Sequence, residues 1–148
     1  MGTRYLGTKD EVRALDTYIK LARAAESVSS RIHRYLADTD LTVSQFGVLE
    51  ALLHLGPLYQ RELAEKLLRS GGNMTLVIDN LEKRELVKRE READDRRCIK
   101  VCLTEKGKQL INQIFPSHVA AIVKEMSILT PEEQEELGRL CRRLGKQE

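Results

Sequence analysis

Apolar positions along this chain recur mostly with the helical period, and in one place with the period of a strand. From Lys9 to Ala37, Val12, Leu15, Ile19, Ala22, Ala25, Val28, Ile32 and Leu36 fall on one side, predicting a single long amphipathic helix. Asp38, Thr39 and Asp40 break that pattern. Thr42 followed three residues later by Gln45 forms a capping box, so a second helix starts there and stops at Gly56 and Pro57. Phe46, Val48, Leu49, Leu52, Leu53 and Leu55 make it apolar around much of its circumference, the signature of a buried central helix.

Tyr59 to Leu68 is predicted to be a short third helix with Leu63, Ala64, Leu67 and Leu68 on one face. After the break at Arg69, Ser70, Gly71 and Gly72, Ser70 is placed to cap a fourth helix, Asn73 to Arg84, whose inward stripe is Met74, Val77, Ile78 and Leu81. Two short helices around a glycine-containing turn are the pattern of a helix-turn-helix. The period then switches to two. Leu86 to Arg91 and Arg97 to Leu103 flank a charged turn, with Ile99, Val101 and Leu103 on one face, which predicts a β-hairpin.

A fifth helix follows from Glu105 to about Leu129, in which Pro116 is expected to introduce a kink or interruption. Thr130, Pro131 and Glu133 then open a sixth helix, expected to bury Leu137, Leu140, Cys141 and Leu144. The predicted fold class is mainly α: a winged helix-turn-helix with one long N-terminal and two C-terminal dimerisation helices and a two-stranded β-wing. Residues 1–148 form a single subunit, with the winged core at 41–104 and a helical dimerisation region at 1–40 and 105–148. The terminal apolar faces exceed what a core of about 60 residues covers, so they are expected to pair with a second copy of the chain.

Composition narrows the class further. The 148 residues, 41% hydrophobic and 32% charged with 9 Gly and 3 Pro, suit one globular domain and exclude disordered or fibrous scaffolds. The sequence lacks an apolar run of the ~18 residues a bilayer demands and a secretory h-region near Met1, so a cytoplasmic protein without a membrane partner is expected. Cys98, Cys102 and Cys141 are odd in number and do not cluster as metal ligands, and neither metal nor cofactor is expected. On one strand Cys98 and Cys102 are separated by ~13 Å, beyond disulfide reach, and Lys100 between them is expected to favour thiolate.

Catalytic motifs are missing. His33, His54 and His118 are scattered, and the chain has no HExxH, GxSxG or GxxxxGK pattern, so an enzyme is not expected. The net charge is only +2, but it is unevenly spread. Residues 41–82 carry three cations against five carboxylates, whereas Lys83, Arg84, Lys88, Arg89, Arg91, Arg96, Arg97 and Lys100 face five carboxylates in residues 83–100. The positive excess therefore sits on the predicted hairpin beside the helix-turn-helix.

With Met74, Val77, Ile78 and Leu81 turned inward, the fourth helix presents Gly72, Asn73, Leu76, Asn80 and Lys83, with Thr75 at the margin. Asn pairs with adenine in the major groove, and an exposed Leu suits a thymine methyl. Gly72 admits a phosphate close to free backbone N–H groups. At the hairpin tip Arg96 and Arg97 suit a narrow minor groove, with Asp95 beside them to orient a guanidinium.

The run from Ser70 to Arg89, followed by Asp95-Arg-Arg-Cys98 and by Val101 to Gly107, resembles the multiple-antibiotic-resistance regulator (MarR) family. The resemblance extends over nearly the whole chain and implies a homodimeric transcriptional regulator, usually a repressor, that places its recognition helices in successive major grooves of a palindromic operator. It implies DNA contacts from Asn73, Thr75, Leu76 and Asn80, and from Arg97 in the minor groove with Asp95 as its positioning partner. Leu76 replaces the Arg of many relatives. Glu85 replaces the usual Gly, and it would be strained if its φ is positive.

The stretch from Gln113 to His118 is similar to the branch responding to quinones and other phenolic compounds, which implies a small aromatic or phenolic effector with His33, Phe46, Phe115 and His118 as candidate pocket walls. The alternative reading is an effector-independent winged-helix adaptor or architectural protein, because a fold does not dictate its use.

Overall fold

The computed structural model describes residues 2–67, 71–95 and 98–148. Among the described residues the elements follow in the order α1 (Lys9–His33), a 3₁₀ helix (Arg34–Thr39), α2 (Val43–Leu55), β1 (Leu58–Tyr59), α3 (Gln60–Lys66), α4 (Gly71–Lys83), β2 (Val87–Arg91), β3 (Ile99–Leu103), α5 (Glu105–Met126) and α6 (Pro131–Lys146). They divide into two compact units, one drawn from the chain ends up to Tyr35 and from Ala120 onward, the other spanning Leu36–Val119. Among the described residues no helix is long and apolar enough to cross a membrane.

In the unit of the chain ends, α1 begins with a capping box. The Glu11 N–H donates to Thr8 Oγ1 at 3.2 Å, and the Thr8 N–H donates to Glu11 Oε2 at 2.7 Å. The helix stops at His33 instead of Ala37 and tightens into a 3₁₀ turn. There the Thr39 hydroxyl donates to the Leu36 carbonyl at 2.7 Å, and Asp40 turns the chain at φ 57°. Arg31 Nε sits 2.9 Å from both carboxylate oxygens of Glu125 and ties α1 to α5.

α6 starts where Thr130, Pro131 and Glu133 predict, with a complete capping box. The Gln134 amide donates to the Met126 and Leu129 carbonyls at 3.0 and 3.1 Å, which accounts for the earlier end of α5. The expected burial along α6 does not occur within the single chain. Leu137, Leu140 and Leu144 are 40%, 46% and 54% exposed, and Cys141 is exposed, because only Gln134 of this helix turns into its own unit.

The second unit is built on α2. Val48 and Leu49 are fully enclosed, and Phe46 and Leu52 nearly so, together with Leu63 of α3, Met74, Ile78 and Leu81 of α4, and Val87, Val101 and Ile111. Each large aliphatic side chain buried in this way contributes about 1.5–3 kcal/mol. β2 and β3 form the expected hairpin, running from Val87 opposite Leu103 to Arg91 opposite Ile99. A further strand joins it: Leu58 and Tyr59 pair with Val101 and Lys100, giving a three-stranded antiparallel sheet in the order β1-β3-β2. Two residues are too few to show alternation, so Tyr59 belongs to a strand where the periodicity placed it in the third helix. α5 runs through Pro116 without a break, since a 22-residue helix absorbs the loss of one N–H donor.

The junction between α4 and β2 sets the path into the wing. Leu86 N–H donates to the Leu81 carbonyl at 3.0 Å and Glu85 N–H to the Glu82 carbonyl at 2.9 Å, a Schellman closure with Glu85 in the left-handed region at φ 61°. The Leu86 carbonyl accepts from the Thr104 N–H at 3.1 Å. The Thr104 hydroxyl donates to the Glu85 carbonyl at 2.6 Å and accepts from Gly107 N–H at 3.0 Å, capping α5. A Cβ on Gly107 would lie 2.0 Å from the Leu86 oxygen, so only glycine lets α5 approach this turn.

Two substitutions at this junction are expected to move thermal stability in opposite directions. Glu85→Gly removes the left-handed penalty and stabilises by about 1 kcal/mol, whereas Gly107→Ala forces the turn apart and costs about 2 kcal/mol or more. Thermal unfolding of both variants checks this. A neutral Gly107→Ala or a destabilising Glu85→Gly would contradict the junction as described.

Candidate nucleic-acid interface

Burial of Met74, Ile78 and Leu81 decides which side of α4 meets solvent. With that face turned into the core, Gly72, Asn73, Thr75, Leu76, Asn80 and Lys83 are exposed on the rest of the helix. Leu76 is 60% exposed, a large apolar side chain held on an otherwise polar outer surface. Open space surrounds the Cβ position of Gly72 at the helix start, leaving the backbone there accessible. The Thr75 hydroxyl accepts from Gln60 Nε2 at 2.7 Å, so its orientation is set by α3. Ser70, Arg96 and Arg97 lie outside the described residues.

Asp95 stands exposed near the hairpin tip. Its carbonyl accepts from the Cys98 N–H at 3.0 Å, and its carboxylate receives the Cys98 thiol at 3.6 Å. The turn end of the hairpin strands is fastened to β1. Tyr59 Oη donates to Glu92 Oε1 at 2.7 Å, Lys100 Nζ pairs with the same oxygen at 3.5 Å, and that ammonium lies 5.3 Å from the Tyr59 ring centroid. The bond to the Glu92 carboxylate, followed by desolvation, raises the Tyr59 phenol above its ordinary value and keeps it a donor.

One cation of the basic segment, Arg89, is turned onto α4. Arg89 leaves β2 with 19% of its side chain exposed and reaches Asp79 at 2.7 Å and Glu82 at 3.1 Å, both on α4. Charge counting along the sequence treated it like its neighbours. Only the fold reveals its partners, because strand and helix must first be brought together.

Away from α4, three of the four residues expected around an effector come together. Phe46 is buried with its ring centroid 4.5 Å from that of His118, Phe115 lies 5.8 Å from His118, and His54 adds an edge contact to Phe115 at 4.9 Å. His54 was missed as a member because it lies more than 60 residues from His118 with no motif linking them. His33 lies half-buried on α1, in the unit of the chain ends. Among the described residues no cluster of His, Cys, Asp and Glu could hold a metal ion.

The MarR family profile matches residues 41–99, the stretch that contains α2, β1, α3, α4 and β2. The transcriptional regulator MhqR of Bacillus subtilis is 35% identical over 133 residues, covering 90% of this chain and 92% of the relative. The solved structure of Sco3205 from Streptomyces coelicolor, a MarR family transcriptional regulator in complex with DNA, superposes with a TM-score of 0.83 at 26% identity, covering 97% of this chain and 90% of its own. BpsR of Bordetella bronchiseptica, whose DNA binding is regulated by 6-hydroxynicotinic acid, superposes with a TM-score of 0.79 at 25% identity over 87% of this chain and 98% of its own. This chain belongs to the MarR family of winged-helix transcriptional regulators. It is a DNA-binding regulator and not an enzyme.

The hairpin thiols behave differently from the expectation drawn from Lys100. Burial and the carboxylates of Asp95 and Glu90, at 3.6 and 3.7 Å, push both Cys98 and Cys102 above the ordinary thiol value. At Cys102, Lys88 and Lys100 pull downward but are outweighed. The two thiols are therefore expected to stay protonated at neutral pH. In a Cys141→Ser background, the alkylation rate of each should inflect at a higher pH than that of a cysteine in an unstructured peptide. An inflection at or below the peptide value would contradict the environment described.

Proposed function

We propose that this regulator is a homodimeric repressor of a palindromic operator, released by a small aromatic or phenolic effector. The observation that carries the DNA part is the outer face of α4, where Leu76 stands 60% exposed between Asn73 and Asn80 while Met74, Ile78 and Leu81 are buried. A merely solvated face gains nothing from an exposed leucine. A major-groove face gains a thymine methyl contact, and the two asparagines suit adenine.

In this reading Ser70, Gly72 and Lys83 meet backbone phosphate, while Asn73, Thr75, Leu76 and Asn80 meet bases. Arg96 and Arg97 enter the minor groove, with Asp95 orienting Arg97. Residues 41–104 act as the DNA-binding core, and 1–40 with 105–148 as the dimerisation region. Exposed Tyr18, Val123, Ile128, Leu137, Leu140 and Leu144 supply apolar surface for a second copy.

The effector reading is supported by the cluster of Phe46, Phe115, His118 and His54, whose rings combine apolar faces with polar edges suited to a hydroxylated aromatic ring. The hydroxylated pyridine acid that regulates BpsR has the same character. Release requires that the effector bind the DNA-incompetent arrangement of the dimer more tightly than the competent one.

Selection of bound duplexes from a random pool at fixed salt tests the proposal. Enrichment of a palindrome with half-sites about one helical turn apart is expected, and the recovered duplex then serves as the probe for release by phenols and hydroxylated aromatic acids. Absence of enrichment would overturn the palindromic operator and the base-reading role of α4.

A further inference from the structure

The Arg89 guanidinium is attached to α4 at three places. Nη2 lies 2.7 Å from Asp79 Oδ1 and donates to the Thr75 carbonyl at 3.2 Å, while Nη1 donates to Glu82 Oε1 at 3.1 Å. Its own backbone N–H donates to the other Glu82 oxygen at 3.0 Å. Nε donates to Gln60 Oε1 at 3.4 Å, and the Gln60 amide turns back to the Thr75 hydroxyl at 2.7 Å. Thus β2, the start of α3 and two turns of α4 meet in one polar clamp.

The spacing of the attachment points matters. Residues 75, 79 and 82 follow the i, i+4, i+7 pattern of one helix face, displaced by about 100° from the buried face of Met74, Ile78 and Leu81. Apolar packing is non-directional and tolerates small rotations, whereas the clamp grips a flank with directional bonds. Side-chain tips stand about 5–6 Å from the helix axis, so a rotation of about 15° displaces them by about 1.5 Å, half the length of a hydrogen bond. Restraint of that rotation decides whether Asn73, Leu76 and Asn80 meet a base edge.

We propose that Arg89 and Gln60 are positioning residues for DNA recognition: they hold the rotational setting of α4 and so set base discrimination without touching DNA. This rests on the reading of α4 as the base-reading helix. It also assigns Arg89 a use for its planar fork, which a lysine cannot reproduce, beyond neutralising Asp79 and Glu82.

The test uses the full chain with Arg89→Lys and Gln60→Met, the first keeping the charge and the second altering none. Affinity is measured for the selected operator and for a scrambled duplex over a salt series, below the unfolding temperature of each variant. Both variants are expected to lose about tenfold of the operator-to-scrambled ratio, the scale of one lost base contact, with an unchanged salt slope on the scrambled duplex. A role confined to stability would lower the unfolding temperature and leave that ratio alone.

A wild-type ratio in both variants would overturn the proposal. So would full rescue by Arg89→Lys, which would reduce Arg89 to a charge, or a salt slope shallower by about one, which would make it a phosphate contact. Should Arg89→Lys fail to fold, the Gln60→Met ratio decides alone. If the wild-type chain itself prefers no duplex, the base-reading role of α4 fails first, an outcome distinct from a selective wild type with equally selective variants.

Discussion

Burial of Met74, Ile78 and Leu81 in the core around α2 is the constraint on which the functional surface depends. An α-helix has one rotational degree of freedom about its axis, and these three residues largely consume it. Once they are inward, Asn73, Leu76 and Asn80 have only the outer surface left. The same burial places Asp79 and Glu82 on the flank within reach of Arg89, so the apolar core and the polar clamp act on one helix from adjacent sides. A substitution in this core therefore propagates to DNA recognition through geometry rather than through contact.

The wing depends on a second constraint at the turn after α4. Glu85 accepts a left-handed backbone so that Leu86 can enter the core and β2 can leave at the right angle. Thr104 and Gly107 then lock the end of β3 and the start of α5 onto that turn. Helix, hairpin and α5 thus share one junction, and Tyr59, Glu92 and Lys100 hold the other end of the hairpin to β1. The hairpin strands are thus held at both ends, at the α4 turn and against β1.

Much of this was legible in local sequence. The capping residues Thr42 with Gln45 and Thr130 with Glu133 mark helix starts because the bonds they make span only three residues. The face of α4 followed from periodicity, and the strain at Glu85 from its place in the family pattern. Features set by distant partners were not legible. β1 is two residues long and exists only because Val101 and Lys100 lie beside it. Cys102 shares a strand with Lys100, yet Glu90 of the neighbouring strand receives its thiol, a contact that requires the hairpin register. Arg89 and Gln60 are 29 positions apart, and His54 reaches Phe115 across about twice that separation.

The central claim is that the outer face of α4 reads bases, with Leu76 against a thymine methyl. A double-mutant cycle between protein and DNA tests it most directly, replacing thymine by uracil at each half-site position and measuring wild type against Leu76→Ala at constant salt. The account predicts one position in each half-site where loss of the methyl weakens the wild type by about three- to tenfold and leaves Leu76→Ala indifferent. Equal losses in both proteins at every thymine, or no sensitive position in the wild type, would contradict it.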